Sequence, residues 1–190
     1  MIEIANDFCV PAPPGAVYDF LVDLERVGGC IPGGEVGPAE QDGTHPAQIA
    51  VKLGPMRFSY RGSVSLIETD EAGRRATLRA TLREARGQGS AQAGMEMSVE
   101  PEDNGARVLT RTEVELTGRA AQMGRGVIDD VAKRVVSDMA ACVTQRLAAV
   151  EPGDAPVAAS PQEPVRGFSL IVRVLRERLA RLLSRSRHRR

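Results

Sequence analysis

The chain has 190 residues, 42% of them apolar, no tryptophan, and 25 basic against 25 acidic side chains, a formal net charge of zero. That length suits one ordinary domain with an appendage. Three cysteines, Cys9, Cys30 and Cys142, are odd in number, widely spaced and without a CxxC pair, which excludes a disulfide framework and a zinc site and points to a reducing compartment.

The neutral total hides a split. From Val165 onward there are nine arginines and one glutamate, a net +8, so the preceding residues carry −8. A basic tail on a mildly acidic body points to an anionic partner. The opening "MIEIANDF" is acidic and lacks a long apolar run, unlike a signal peptide. No run of 18 uncharged apolar residues occurs, so an ordinary transmembrane helix is not expected.

In chain order, "MIEIANDFCV" reads as a first strand ended by "PAPPG". A short helix is predicted over Ala16 to Leu24, with Val17, Phe20, Leu21 and Leu24 at helical spacing. "ERVGGCIPGGEVG" is turn-rich. Strands then dominate. Ile49, Val51 and Leu53 alternate with polar or small residues before Gly54-Pro55 breaks the run. Met56, Phe58, Tyr60, Gly62, Val64 and Leu66 share one face of the next strand, opposite Arg57, Ser59, Arg61, Ser63 and Ser65. Ala76, Leu78, Ala80 and Leu82 repeat the pattern, as do Ala91, Ala93, Met95, Met97 and Val99. "RVLTRTEVEL" closes the series. Strict alternation over successive strands with short turns predicts an antiparallel meander with one wet face.

The cover for the dry face is the proline-free stretch from Arg119 to Val150. Ala121, Gly124, Ile128, Val131, Val135, Met139 and Cys142 form an apolar stripe at three- and four-residue steps. A long helix across an antiparallel sheet predicts a two-layer α+β domain over residues 1–150. Residues 151–164, with four prolines, read as a semi-extended linker, and residues 165–190 as the basic tail.

Catalytic chemistry is poorly supplied. His45 falls in a polar turn and His188 in the basic end, and neither pairs with a nucleophile. Asp129 and Asp130 are adjacent on the long helix and point in different directions. Metal-ligand spacing is absent. "GGCIPGG" lacks both the Gly-Lys-Ser/Thr ending of a phosphate loop and the strand-to-helix setting of a dinucleotide loop, so close backbone packing in a flexible turn is the favoured reading.

The dry face mixes small residues (Gly62, Ala76, Ala80, Ala91, Ala93) with Met56, Phe58, Tyr60, Met95 and Met97. Two readings stand level. Small side chains leave an apolar void for a lipophilic ligand, or they serve a bend in the sheet and the space is filled.

In the tail, Phe168, Ile171, Val172, Leu175, Leu179, Leu182 and Leu183 fall on one side of a helix, with Arg173, Arg176, Arg178, Arg181 and Arg185 around the rest. Each arginine costs about 2.5–3.5 kcal/mol at the centre of a spanning helix, yet is worth about 1 kcal/mol beside an anionic leaflet. A helix lying in the membrane surface is therefore favoured over a spanning one. It is also favoured over a helix docked in a partner's groove and over a nucleic-acid arm, which needs no such apolar face.

The order of elements resembles the START/Bet v 1-like helix-grip superfamily. "LERVGGCIPGGE" from Leu24, "KLGPMRFSYRGS" from Lys52, "ARGQGSAQA" from Ala85 and "LTGRAAQMGRGVIDDVAKRV" from Leu116 resemble the family of the CoxG subunit of carbon monoxide dehydrogenase over residues 1–150. The resemblance implies a non-catalytic lipophilic-ligand carrier whose cargo is a quinone, menaquinone or ubiquinone. It would link a cytoplasmic molybdenum hydroxylase of the carbon monoxide dehydrogenase type to the respiratory chain. It also implies a C-terminal membrane attachment; here the amphipathic, arginine-rich tail favours reversible binding at the inner face of the cell membrane. On strand phase and helix position, Phe20, Ile31, Met56, Phe58, Tyr60, Met95, Met97, Met123, Val127 and Val131 are expected to line the cavity, with "GCIPGG" as a gate. The alternatives are a ligand-free assembly or membrane-recruitment factor for the dehydrogenase, and an enzyme of the cyclase or hydratase type. The enzyme would need an inward polar cluster, which the inward rows do not offer.

Overall fold

The structure, a computed structural model, describes residues 1–53, 56–87 and 89–149. The linker, the tail and the Gly54-Pro55 break lie outside the described residues. The elements are β1 (Ile2–Val10), α1 (Pro14–Val22), α2 (Leu24–Gly28), β2 (Gly34–Val36), β3 (His45–Leu53), β4 (Met56–Asp70), β5 (Arg75–Glu84), β6 (Ser90–Glu102), β7 (Gly105–Leu116) and α3 (Arg125–Ala148). The strands form one antiparallel sheet in the order β1-β7-β6-β5-β4-β3-β2. This is the α+β helix-grip architecture, a curved sheet closed by a long C-terminal helix.

The alternation dictates which face is covered. On β1, Ile4, Asn6, Phe8 and Val10 turn inward while Glu3, Ala5, Asp7 and Cys9 are exposed. On β7 the inward row is Ala106, Val108, Thr110, Thr112, Val114 and Leu116. Curvature has a local cause at Gly62. A Cβ there would lie 2.0 Å from the Thr81 carbonyl oxygen, so only glycine lets β4 approach β5 this closely. Farther along the same pair, Leu66 faces Leu78 and Glu68 faces Thr77, leaving Ile67 as an extra residue, 51% exposed. This bulge ends the strict phase of β4.

The packed core sits at one end of the sheet. Val10, Val17, Tyr18, Phe20, Val99, Val108 and Val143 are almost wholly buried where β1, α1, β6, β7 and the C-terminal part of α3 meet. The Tyr18 hydroxyl donates to the Arg75 carbonyl at 3.1 Å and ties α1 to the start of β5.

Four expectations are corrected. The single helix over Ala16 to Leu24 is two helices, because Asp23 leaves helical geometry and its carboxylate caps α2, accepting from the Arg26 backbone N–H at 3.1 Å. The turn-rich segment contains β2, which pairs Gly34 with Ile49 and Val36 with Ala47; three residues are too few to show a period. The long helix begins at Arg125, after a 3₁₀ turn over Gly118–Gln122, so Ala121 and Gly124 are not on its stripe. His45 opens β3 rather than lying in a turn, and its Nδ1–H donates to the Gly37 carbonyl at 2.9 Å.

The cysteine reading is also overturned. Cys30 and Cys142 form a disulfide with their Cα atoms 5.4 Å apart. They stand 112 residues apart in sequence, and spacing at that range carries no information about proximity in space. The reducing compartment inferred from the cysteines loses its basis. The disulfide ties the segment after α2 to α3, and Arg146 reinforces it by donating to the carbonyls of Arg26 (2.9 Å) and Gly29 (3.2 Å).

A cross-link closing so long a loop restricts the unfolded chain, and losing one typically costs about 2–4 kcal/mol. Cys142→Ala is expected to lower the denaturant-unfolding free energy of the oxidised protein by that amount. Equal stabilities for the variant and the oxidised parent would show that the bridge contributes nothing.

Candidate functional site

Between the concave sheet and α3 lies a cavity of 470 Å³, inside the range of about 300–1,000 Å³ usual for small-molecule sites. Its existence follows from side-chain size. Ala80 faces Ala93 across β5 and β6, and Ala91 faces Leu82; all four line the space. From above, Ile128, Val131, Val135 and Met139 of α3 reach into it. These helix residues are only half-buried, whereas Val143, one turn beyond Met139, is fully buried. The helix therefore packs tightly at its C-terminal end and bridges open space over the rest. Of the two readings of the small residues, the void is what the structure shows for Ala80, Ala91 and Ala93. Ala76 belongs instead to the packed core, and Gly62 serves the bend.

Among the ten expected lining residues, Ile31, Phe58, Tyr60, Met95, Met97 and Val131 border the cavity. Phe20, Met56, Met123 and Val127 do not. Phe20 is 1% exposed in the core, with the Arg26 guanidinium 4.8 Å above its ring. Met56 and Met123 pack against the Phe58, Tyr60 and Ala120 cluster. Val127 is 42% exposed, because at 100° per residue it stands about a quarter-turn away from the inward stripe of Ile128, Val131, Val135 and Met139. The candidate membrane residues Phe168, Ile171, Val172, Arg173, Leu175, Arg176, Arg178, Leu179, Arg181 and Leu182 lie outside the described residues.

The wall is almost entirely apolar, but three of its polar side chains are grouped. Asn6 of β1 stands directly opposite Thr110 of β7, and Thr112 is two residues along the same inward row; all three line the cavity. The Thr110 hydroxyl is already engaged, donating to the Asn6 carbonyl at 3.2 Å. The Asn6 carboxamide and the Thr112 hydroxyl have no hydrogen-bond partner among the described residues and face accessible space, since no fully buried polar atom is left unsatisfied. On the other side, burial and then the Glu84 carboxylate raise the Tyr60 phenol above its ordinary value, so it stays protonated and able to donate. The expectation that the inward rows hold no polar group is thus corrected. Writing out the alternation of "IEIANDF" and "RVLTRTEVEL" would have found Asn6, Thr110 and Thr112. The cluster itself has no charged acid or base; the lining also includes Glu35 of β2 and Gln48 of β3, both exposed, with the Gln48 amide donating to the Glu35 carboxylate, and among the described residues no three His, Cys, Asp or Glu side chains gather as a metal site requires.

"GGCIPGG" turns out to be a close-packed segment. Gly33 has φ +71°, and a Cβ there would lie 2.5 Å from the Ala50 carbonyl oxygen. With the disulfide at Cys30, Gly33 serves tight approach to β3, while Gly28 lies against Val36 and Gly29 against the Arg146 guanidinium.

A family model described as the CoxG subunit of carbon monoxide dehydrogenase matches residues 7–148. No curated protein matches the chain significantly. Among solved structures, a conserved protein from Geobacillus kaustophilus is similar at 16% identity and TM-score 0.66, covering 77% of this chain and 94% of that one. A protein from Thermus thermophilus is similar at 18% identity and TM-score 0.58, covering 78% and 99%. The Zhui aromatase/cyclase from a Streptomyces species is similar at 16% identity and TM-score 0.51, covering 77% and 93%. At these identities the structural likenesses establish the fold alone.

An unfilled cavity tolerates added volume, whereas overpacking a filled core costs about 1–3 kcal/mol. The double variant Ala80→Leu/Ala93→Leu is therefore expected to stay within about 1 kcal/mol of the parent's stability while losing uptake of an apolar fluorescent probe. A loss of stability in the overpacking range with probe uptake retained would contradict an open cavity.

Proposed function

The chain belongs to the CoxG family of carbon monoxide dehydrogenase subunits, and from that premise we propose that it is a non-catalytic carrier of a lipophilic ligand. The ligand is a respiratory quinone, menaquinone or ubiquinone, taken from the membrane and presented to a molybdenum hydroxylase of the carbon monoxide dehydrogenase type. The observation that carries the reading is the 470 Å³ cavity with its nearly continuous apolar wall. Such a wall suits an isoprenoid-like chain, while the Asn6 carboxamide, the Thr112 hydroxyl and the Tyr60 phenol can donate to the carbonyl oxygens of a head group.

The non-catalytic reading draws support from the same wall. A cyclase or hydratase needs positioned groups that move protons; the Asn and Thr side chains supply hydrogen bonds instead, and the lining carboxylate Glu35 is exposed and engaged by Gln48. The protein would work at the inner face of the cell membrane, with the arginine-rich segment from Phe168 onward as its reversible tether. Among the described residues no helix is long and apolar enough to cross a membrane.

Organic extraction of the purified protein after incubation with membranes is expected to yield about one quinone per chain, and Asn6→Leu/Thr112→Val to reduce that yield several-fold. Protein that emerges free of quinone would sink the carrier reading in favour of a recruitment factor. Deleting residues 165–190 is expected to reduce flotation with anionic liposomes strongly; unchanged flotation would remove the tail from the membrane function.

A further inference from the structure

The domain is electrically polarised along its strands. At one end β3 leads to β4, β5 to β6, and β7 to α3. Lys52, Arg57, Arg83, Arg86 and Arg119 are exposed there, and none is ion-paired among the described residues. Glu84 on β5 is buried, Asp129 near the start of α3 lies 4.0 Å from Arg125, and Asp130 beside it is exposed. On the β1 and β7 side of this end the exposed Glu3, Glu113 and Glu115 offset the cations, Glu3 facing Glu113 and its carbonyl accepting from Arg125 at the start of α3 at 3.4 Å, so the uncompensated positive charge lies toward β3, β4 and β5. The opposite end is net acidic, with exposed Glu68, Asp70, Glu71, Glu100, Glu102 and Asp103 outnumbering Arg74, Arg75 and Arg107.

Folding does not account for the basic end. Lys52 stands directly opposite Arg57, and Arg61 directly opposite Arg83. Like charges in directly opposed cross-strand positions destabilise a sheet. The same end carries apolar side chains toward solvent. Val127 is 42% exposed, and Met56 and Met123, partly buried, pack against Phe58, Tyr60 and Ala120, all of which border the cavity, without lining it themselves. The Arg119 Nη2 lies 4.0 Å from the Met56 sulfur. Two flexible methionines thus back the cavity wall at this end, with Arg119 beside Met56.

We propose that this end of the domain docks on an anionic lipid surface, with Val127, Met56 and Met123 entering the interface and Lys52, Arg57, Arg83, Arg86 and Arg119 resting on the phosphates. An acidic protein would satisfy the cations but would have no use for the exposed apolar tip, whereas a bilayer interface satisfies both. Docking here deepens the carrier reading, on which its purpose rests, by placing the two methionines where a lipid enters or leaves. The contact is separate from the arginine-rich tail.

The chain has no tryptophan, so a single introduced one reports its own surroundings. In the full-length protein, Val127→Trp is expected to show blue-shifted emission on anionic phosphatidylglycerol vesicles and quenching by brominated lipid. Ile67→Trp, near the acidic end, is expected to show neither. Adding Arg57→Glu and Arg83→Glu to Val127→Trp should weaken the vesicle-dependent shift about tenfold or more. The same changes convert both like-charge pairs into opposite-charge pairs, so thermal stability should hold or rise. Emission at position 127 that ignores anionic vesicles, or responds equally to phosphatidylcholine, overturns the proposal; so does an unchanged shift in the charge-reversed protein. None of these readouts depends on quinone, so failure here is distinguishable from failure of the carrier reading.

Discussion

A seven-stranded antiparallel sheet with one apolar face must have that face covered, and everything else in this domain follows from how incompletely α3 does so. The helix has 24 residues, about 36 Å at 1.5 Å per residue, long enough to cross the whole concave face. Only near Val143 does it meet a dry core. Elsewhere Ala80, Ala91 and Ala93 stand where larger side chains would fill the gap. Unfilled apolar space forfeits dispersion contacts, so the packed end must hold the domain together while the other end stays open.

The division of labour is visible in the anchors. The disulfide between Cys30 and Cys142, the hydrogen bonds from Arg146 and the Tyr18 hydroxyl bond all tie α1, α2 and the C-terminal part of α3 to the structure around them. The N-terminal part of α3 is held more lightly, with Arg125 donating to the Glu3 carbonyl at 3.4 Å. The proposed carrier role would use this asymmetry: a firm frame, and one end held more lightly.

Much of the fold was legible because period-two alternation depends only on neighbours in sequence. Phe58, Tyr60, Met95 and Met97 were placed inward correctly for that reason. Their functional meaning was not legible to the same degree. Phe20 has the helical phase of a lining residue, yet α1 packs it into the core. Val127 has a place on the covering helix but not the phase of its inward stripe, from which it stands about a quarter-turn away. Asn6 and Thr112 were passed over although their phase was available, since one polar residue in an apolar row gains significance only when its neighbour strand is known. The cross-strand register supplies that neighbour.

By itself the sequence determined the α+β class, the meander, the inward rows, the covering helix and the family, because periodicity and motif order are properties of the linear chain. The tertiary structure alone decided that the space beneath the helix is open, that Cys30 meets Cys142, that Asn6 and Thr112 share one wall, and that five cations gather at the end where two methionines back the cavity wall. Each of these joins residues far apart in sequence, and their proximity is set by sheet register and curvature, which no local pattern encodes.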